Sequence, residues 1–162
     1  MTRTFSLFVD TLEMPRGKFR DEVYRKSFRE WLTSTGAGGA LSQGLDNLIQ
    51  EIVKNFYDHA MGNGSIRATS MEKSLIVELC DFGPGFTPKN EGSSFKDIQE
   101  ELYNNWTKKS EENCALGLRT IDNLLEVFAE GTEAVSNFVY EIKTEGRFYY
   151  RFEMEVKPFF FT

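Results

Sequence analysis

Seven apolar residues between positions 45 and 60 recur at the spacing of one helix face, and this stripe limits the possible folds more than any other part of the sequence. They are Leu45, Leu48, Ile49, Ile52, Val53, Phe56 and Ala60. Residues three and four apart share one side of an α-helix because successive residues turn by about 100°. The stripe therefore predicts a helix that begins at Ser42 or Asp46, runs to about Met61 and packs on a core.

Strand-like and helical segments alternate through the rest of the chain. The predicted strands are residues 4–9, 65–71, 74–81, 135–143 and 147–157, and further helices are predicted at 17–34 and 116–128. Turns at Glu72-Lys73 and Glu145-Gly146 make hairpins of neighbouring strands. The pattern predicts an α/β (α+β) two-layer sandwich, in which helices cover one face of a mixed, mostly antiparallel sheet.

Length and charge narrow the class of protein further. With 162 residues, of which 40% are hydrophobic, the chain is predicted to form one domain over residues 1–162. A net charge of -6 argues against a nucleic-acid partner, and no apolar run approaches the roughly 18–20 residues of a membrane span. A soluble, cytoplasmic protein is expected, with Cys80 and Cys114 as buried, unpaired thiols.

A second stripe on the predicted helix of residues 45–60 is polar. Glu51, Asn55 and Asp58 are separated by four and three residues and so lie on nearly the same side. An exposed helix face of this composition is ordinary, although asparagine is a mediocre helix former. Because Mg²⁺ takes oxygen ligands from one or two side chains together with substrate phosphates, a metal role would explain an asparagine in mid-helix.

The stretch DFGPGF, residues 81–86, has three possible interpretations. In a protein kinase, Asp81 would hold Mg²⁺, but the catalytic and glycine-rich loops that should precede it are missing. A simple turn after a strand is a second interpretation, since glycine and proline commonly follow strands. The third is an adenine pocket, where a carboxylate accepts from the exocyclic amino group and two glycines let the backbone approach the base.

Three segments in order resemble the motifs of the GHKL ATPase superfamily, whose domain has the Bergerat fold. Residues 51–60, EIVKNFYDHA, are similar to its N-box; Asp81, Gly83 and Gly85 match its D-x-G-x-G motif; and residues 115–118, ALGL, partly match its second glycine box. The resemblance covers about residues 40–130, the core of a histidine-kinase-like ATPase domain. The small anti-sigma-factor serine kinases are the most similar type, because DFGPGFTP resembles their first glycine box.

The resemblance implies ATP and Mg²⁺ as cofactors and a role for each matching residue. Glu51 would be the catalytic carboxylate, Asn55 would bind Mg²⁺, and Asp58 would support the nucleotide side of the helix. His59, the sole histidine, is expected to line the pocket rather than to accept a phosphoryl group. The remaining nucleotide contacts would come from Asp81, Gly83, Gly85, Phe86, Gly117 and Leu118.

Two functions from different classes remain open at this stage. The first is an ATP-dependent serine/threonine kinase of the anti-sigma type, whose partners would be an anti-sigma antagonist or a sigma factor. Such a kinase would act as a homodimer and would bind neither a membrane nor a nucleic acid. The second is a nucleotide-binding interaction module with weak or lost catalysis, or the ATP-binding part of a histidine kinase system. Intact Glu51 and Asn55 favour the enzyme, whereas Ala115 in place of a glycine favours the module.

Overall fold

Five strands form one antiparallel sheet in the computed structural model, which describes residues 2–10, 13–59, 63–81, 121, 123–143 and 147–157. The strands are β1 (Thr2–Asp10), β2 (Asn63–Met71), β3 (Ser74–Asp81), β4 (Val135–Lys143) and β5 (Tyr149–Val156). They lie in the order β1-β2-β3-β5-β4. All five predicted strands are therefore confirmed, with small differences at their ends.

The helices of the described chain lie before β2 and before β4. An unbroken helical segment consists of α1 (Arg16–Lys18), a π-helical stretch (Phe19–Arg29) and α2 (Glu30–Ser34). A π-helical turn (Leu41–Leu45) leads into α3 (Asp46–His59), and residues 123–130 form α4. The chain bends before α3 at Gly44, whose φ of 115° is a conformation that favours glycine.

The core lies between the helices and one face of the sheet. Along β3, Leu75, Val77, Leu79 and Asp81 are buried, and the residues between them are partly exposed. Successive side chains of a strand point to opposite faces, so these four share the face that packs on the helices. The predicted α+β fold, a sheet covered by helices, is confirmed; a mixed sheet was expected, but the described strands contain no parallel pair.

The apolar stripe of α3 packs as its spacing predicts. Its buried members are Leu45, Leu48, Ile49, Ile52, Val53 and Phe56, each at most 2% exposed. Burying an aliphatic or aromatic side chain of this size contributes about 1.5–3 kcal/mol, so the stripe is a main source of stability. Of the two predicted starting residues, Asp46 is the first residue of α3. Ala60 lies outside the described residues.

The other face of the sheet carries residues of mixed polarity. Cys80 lies on this face, is only half-buried, and is a free thiol. The expectation of a buried Cys80 is therefore wrong, because the alternation of β3 that turns Leu79 and Asp81 inward turns Cys80 outward. Cys114 lies outside the described residues. Among the described helices, none has the length and apolar character needed to cross a membrane.

Candidate functional site

The carboxylate of Asp81 lies at the end of β3 on the helix-facing side of the sheet. Its side chain is buried, and the residue is only 4% exposed. The Asp81 backbone N–H donates to the Phe148 carbonyl at 3.0 Å, and the Phe148 N–H donates to Asp81 Oδ1 at 3.4 Å. These two contacts fix the strand end against the residue that precedes β5. A buried carboxylate held in this way is a directed hydrogen-bond acceptor within the core layer.

Helix α3 reaches this strand end through Phe56 and Gly64. Gly64 pairs with Asp81 across β2 and β3, and the Phe56 ring lies directly on the Gly64 backbone. A Cβ atom at Gly64 would lie 2.5 Å from Phe56 Cδ2 and 2.6 Å from Cε2, so only glycine admits the ring. The last turns of α3 are therefore held beside the strand pair that carries Asp81.

Glu51 lies earlier on α3 and lines a cavity of about 320 Å³. The cavity lies between the first half of α3 and the π-helical stretch. Its lining residues are Phe19, Arg25, Asp46, Asn47, Gln50, Glu51, Val53 and Lys54. Asn47 and Glu51 are four residues apart and so lie on the same face of α3. Residue 55 lies one turn further along that face. The polar face of α3, which carries the predicted site residues, therefore borders this cavity at Glu51.

Charged side chains in this cavity do not neutralise each other by direct contact. Glu51 and Lys54 are half-buried and Arg25 is exposed, and none of the three takes part in an ion pair within the described part of the chain. A charged side chain that has no partner and faces a cavity can be paired by a ligand of opposite charge. The cavity therefore offers both an anionic and a cationic group to an occupant.

Two buried polar groups, one on the cavity-lining Asp46 and the other on the neighbouring Tyr24, lack hydrogen bonds of good geometry. Tyr24 is fully buried, and neither its hydroxyl nor Asp46 Oδ1 has a hydrogen-bond partner of good geometry among the described residues. Burial raises the pKa of Tyr24 far above its ordinary value, the nearby Asp46 carboxylate raises it further by its charge and as a hydrogen-bond acceptor, and Arg29 opposes the change. Tyr24 and Asp46 are therefore close enough to interact, although the geometry between them is poor.

Replacing Tyr24 with phenylalanine is expected to leave the protein as stable as the wild type or to stabilise it by up to about 1 kcal/mol, because the removed hydroxyl is buried and makes no hydrogen bond of good geometry. Tyr57→Phe is the matched control, since the Tyr57 hydroxyl donates to the Met14 carbonyl at 2.8 Å. That control should lose about 0.5–1.5 kcal/mol. Urea unfolding of both variants measures the difference, and an equal loss in Tyr24→Phe would contradict the expectation.

Several predicted site residues cannot be compared with this geometry. Gly83, Gly85, Phe86, Gly117 and Leu118 lie outside the described residues, and so does Ala115. Asn55, Asp58 and His59 belong to α3, but the structure describes only their place in the helix and not their side chains. Among the described residues, no group of three or more His, Cys, Asp or Glu side chains could hold a metal ion. The magnesium site at Asn55 stays a prediction.

The structure also adds residues that sequence reasoning did not assign to a site. Arg25, Asp46 and Lys54 line the Glu51 cavity, and Tyr24 lies near Asp46. Lys54 could have been noticed, because it lies three residues after Glu51 and such residues are neighbours on a helix. Tyr24 and Arg25 could not, because only tertiary packing brings their helix to α3.

The fold and this site define an α+β protein with an antiparallel sheet, a buried carboxylate at the end of β3 and a charged cavity beside α3. No protein-family model matches the chain, and no curated protein matches it with significant similarity.

Proposed function

We propose that this protein binds ATP with Mg²⁺ and transfers a phosphoryl group to a serine or threonine of a partner protein. The observation that carries the proposal is the buried Asp81 carboxylate, which faces the helical layer where β3 ends, beside the contact of Phe56 with Gly64. The same strand end begins the DFGPGF stretch, and the same helix carries the N-box-like residues 51–60. Phe56 of the N-box-like stretch therefore lies against Gly64, the β2 residue that pairs with Asp81, which supports the proposal.

The chemistry of Asp81 suits recognition of an adenine base. An ionised carboxylate only accepts hydrogen bonds and has capacity for several donors, so the contact with the Phe148 N–H is compatible with a further donor. The exocyclic amino group of adenine is such a donor. Burial strengthens this interaction, because a hydrogen bond in a low-dielectric environment competes less with water.

The polar face of α3 suits the phosphate end of the nucleotide. Residues 51 and 55 are one turn apart on this face, about 6 Å along the helix axis. In the proposed site Asn55 would hold Mg²⁺, with Asp58 and His59 one turn further towards the base. Bound ATP and Mg²⁺ supply the phosphoryl group and neutralise its charge.

Glu51 is the proposed catalytic residue. Its carboxylate takes the proton of the acceptor hydroxyl while that oxygen bonds to the terminal phosphorus of ATP; the bond to the bridging oxygen breaks, and ADP leaves with the electron pair. The cavity beside Glu51 gives an acceptor access to this carboxylate. A regulatory protein such as an anti-sigma antagonist is the proposed acceptor, a sigma factor is a second proposed partner, and a cytoplasmic location and a homodimer belong to the same proposal.

A nucleotide-binding module without catalysis is the second candidate. The sequence feature that favours it is Ala115, which replaces a glycine of the second glycine box and restricts the backbone there. This candidate shares the proposed ATP site and differs from the first only in turnover. Binding experiments test what the two have in common, and turnover experiments separate them.

Asp81→Asn is expected to weaken ATP binding by about 5- to 150-fold. The buried hydrogen bond from the adenine amino group is lost, and the new carboxamide NH₂ can place a second donor against that amino group. The carboxamide oxygen can still accept from the Phe148 N–H, so the fold should be kept. Isothermal titration calorimetry with ATP and Mg²⁺ measures the affinity, and circular dichroism checks the fold.

The matched control for Asp81→Asn is Glu78→Gln, which removes one charge from the opposite face of the same strand. This control should bind ATP like the wild type. Absence of ATP binding by the wild-type protein, or equal affinities of wild type and Asp81→Asn, would refute the proposed nucleotide site.

A further inference from the structure

The cavity beside Glu51 has features that the binding of ATP does not require. It is lined by two cationic side chains, Arg25 and Lys54, and neither takes part in an ion pair among the described residues. We propose that it is the docking site for an acidic, hydroxyl-bearing segment of the partner protein. This inference rests on the proposed function, because the cavity would hold the serine or threonine whose proton Glu51 accepts.

The charge distribution favours an acidic occupant. The whole chain has a net charge of -6, but residues 16–30 contain six Lys and Arg against three Asp and Glu. The exposed residues of this segment include Lys18, Arg25, Lys26 and Arg29. Of these residues Arg25 lines the cavity together with Lys54, and cationic groups attract a partner of opposite charge.

The inner side of the cavity favours a peptide segment over a simple anion. A simple anion would meet the carboxylates of Asp46 and Glu51, which repel it. A peptide brings a hydrogen-bond donor as well as charge, because a serine or threonine hydroxyl can donate to Glu51. Its acidic side chain then pairs with Arg25 and Lys54.

The size and lining of the cavity fit such a segment. A volume of about 320 Å³ accommodates a few side chains, and Phe19 and Val53 supply apolar walls for their aliphatic parts. The transfer step is the one given above: the hydroxyl proton goes to Glu51, the oxygen bonds to the terminal phosphorus, and ADP leaves. In this step the cavity holds only the segment that carries the acceptor hydroxyl.

The experiment uses short fluorescein-labelled peptides in which a central serine is flanked by aspartates, with matched peptides in which asparagines replace the aspartates. Fluorescence anisotropy measures their binding to the full chain without nucleotide. Wild-type protein should bind the aspartate peptides at least about tenfold more tightly than the asparagine peptides, and added salt should reduce this difference.

Arg25→Glu tests the site directly, and Arg67→Glu is its matched control. The control makes the same change of charge at an exposed position of β2, on the sheet face opposite the helices. Arg25→Glu should lose at least about tenfold in affinity for the aspartate peptides, while Arg67→Glu should bind like the wild type. Equal losses in the two variants, or undetectable binding to wild type, would overturn the docking site.

ATP titration of the same proteins separates this inference from the proposed function. If ATP binds wild type and Arg25→Glu equally while only the wild type binds the aspartate peptides, both proposals are supported. If ATP binds but the peptide affinity does not depend on Arg25, the docking site is wrong and the nucleotide site stands. If ATP does not bind but the Arg25-dependent peptide binding is found, the cavity is a docking site and the kinase proposal is wrong.

Discussion

Glu51→Gln is expected to slow phosphoryl transfer by about 10²- to 10⁴-fold and to leave the affinity for ATP unchanged. The variant keeps the size of the side chain but removes the carboxylate that accepts the proton of the acceptor, and general-base catalysis typically contributes a factor of this size. The change should therefore appear in the rate of the chemical step and not in nucleotide binding. Single-turnover assays with radiolabelled ATP and the co-purified partner protein measure this rate.

Glu30→Gln is the control for Glu51→Gln, because Glu30 is an exposed carboxylate on α2 and does not line the cavity. It should react at the wild-type rate. A Glu51→Gln variant that also reacts at that rate would remove Glu51 from the mechanism. If the wild type binds ATP without any transfer, the module without catalysis becomes the better description.

Gly64→Ala is expected to destabilise the fold by about 1–3 kcal/mol, a large effect for a single methyl group. Carbon atoms normally approach to about 3.5–4.0 Å, whereas the new Cβ would lie 2.5 Å from the Phe56 ring. Phe56 is fully buried, so its ring has no open space into which to move. Urea unfolding measures the loss, and the displaced α3 should also weaken ATP binding.

Gly17→Ala is the control for this substitution, because nothing lies within 4 Å of a Cβ atom at Gly17, which is helical. Alanine there should be neutral or stabilise the protein by up to about 1 kcal/mol. A double-mutant cycle with Phe56→Leu identifies the cause of the Gly64 effect. The two substitutions should be coupled by about 0.5–3 kcal/mol, since the smaller side chain relieves the clash; additive effects would show that the clash is not the cause.

The local elements of this protein could be predicted because their signals are local. The spacing of Leu48, Ile52 and Phe56 reports the period of a helix, and the alternation of Leu75, Val77 and Leu79 reports the period of a strand. Each signal depends only on neighbours along the chain. For this reason the core stripe of α3 and all five strands were found from the sequence, and Asp46 was one of two predicted starts of the helix.

The exposure of Cys80 shows where this reasoning failed. A small apolar residue was expected to be buried, but its place in the alternation of β3 matters more than its residue type. The same alternation that exposes Cys80 buries the polar Asp81. A strict application of the two-residue period would have predicted both.

By itself the sequence determined the helices and strands and the order of the polar motifs, since both depend on the spacing of residues that are close together along the chain. Only the tertiary structure decided that β5 lies between β3 and β4, that Asp81 contacts Phe148, and that Arg25 and Glu51 share one cavity. Each of these joins parts of the chain that are far apart in sequence. Such contacts depend on how whole layers pack, and the spacing of residues along a single element contains no information about them.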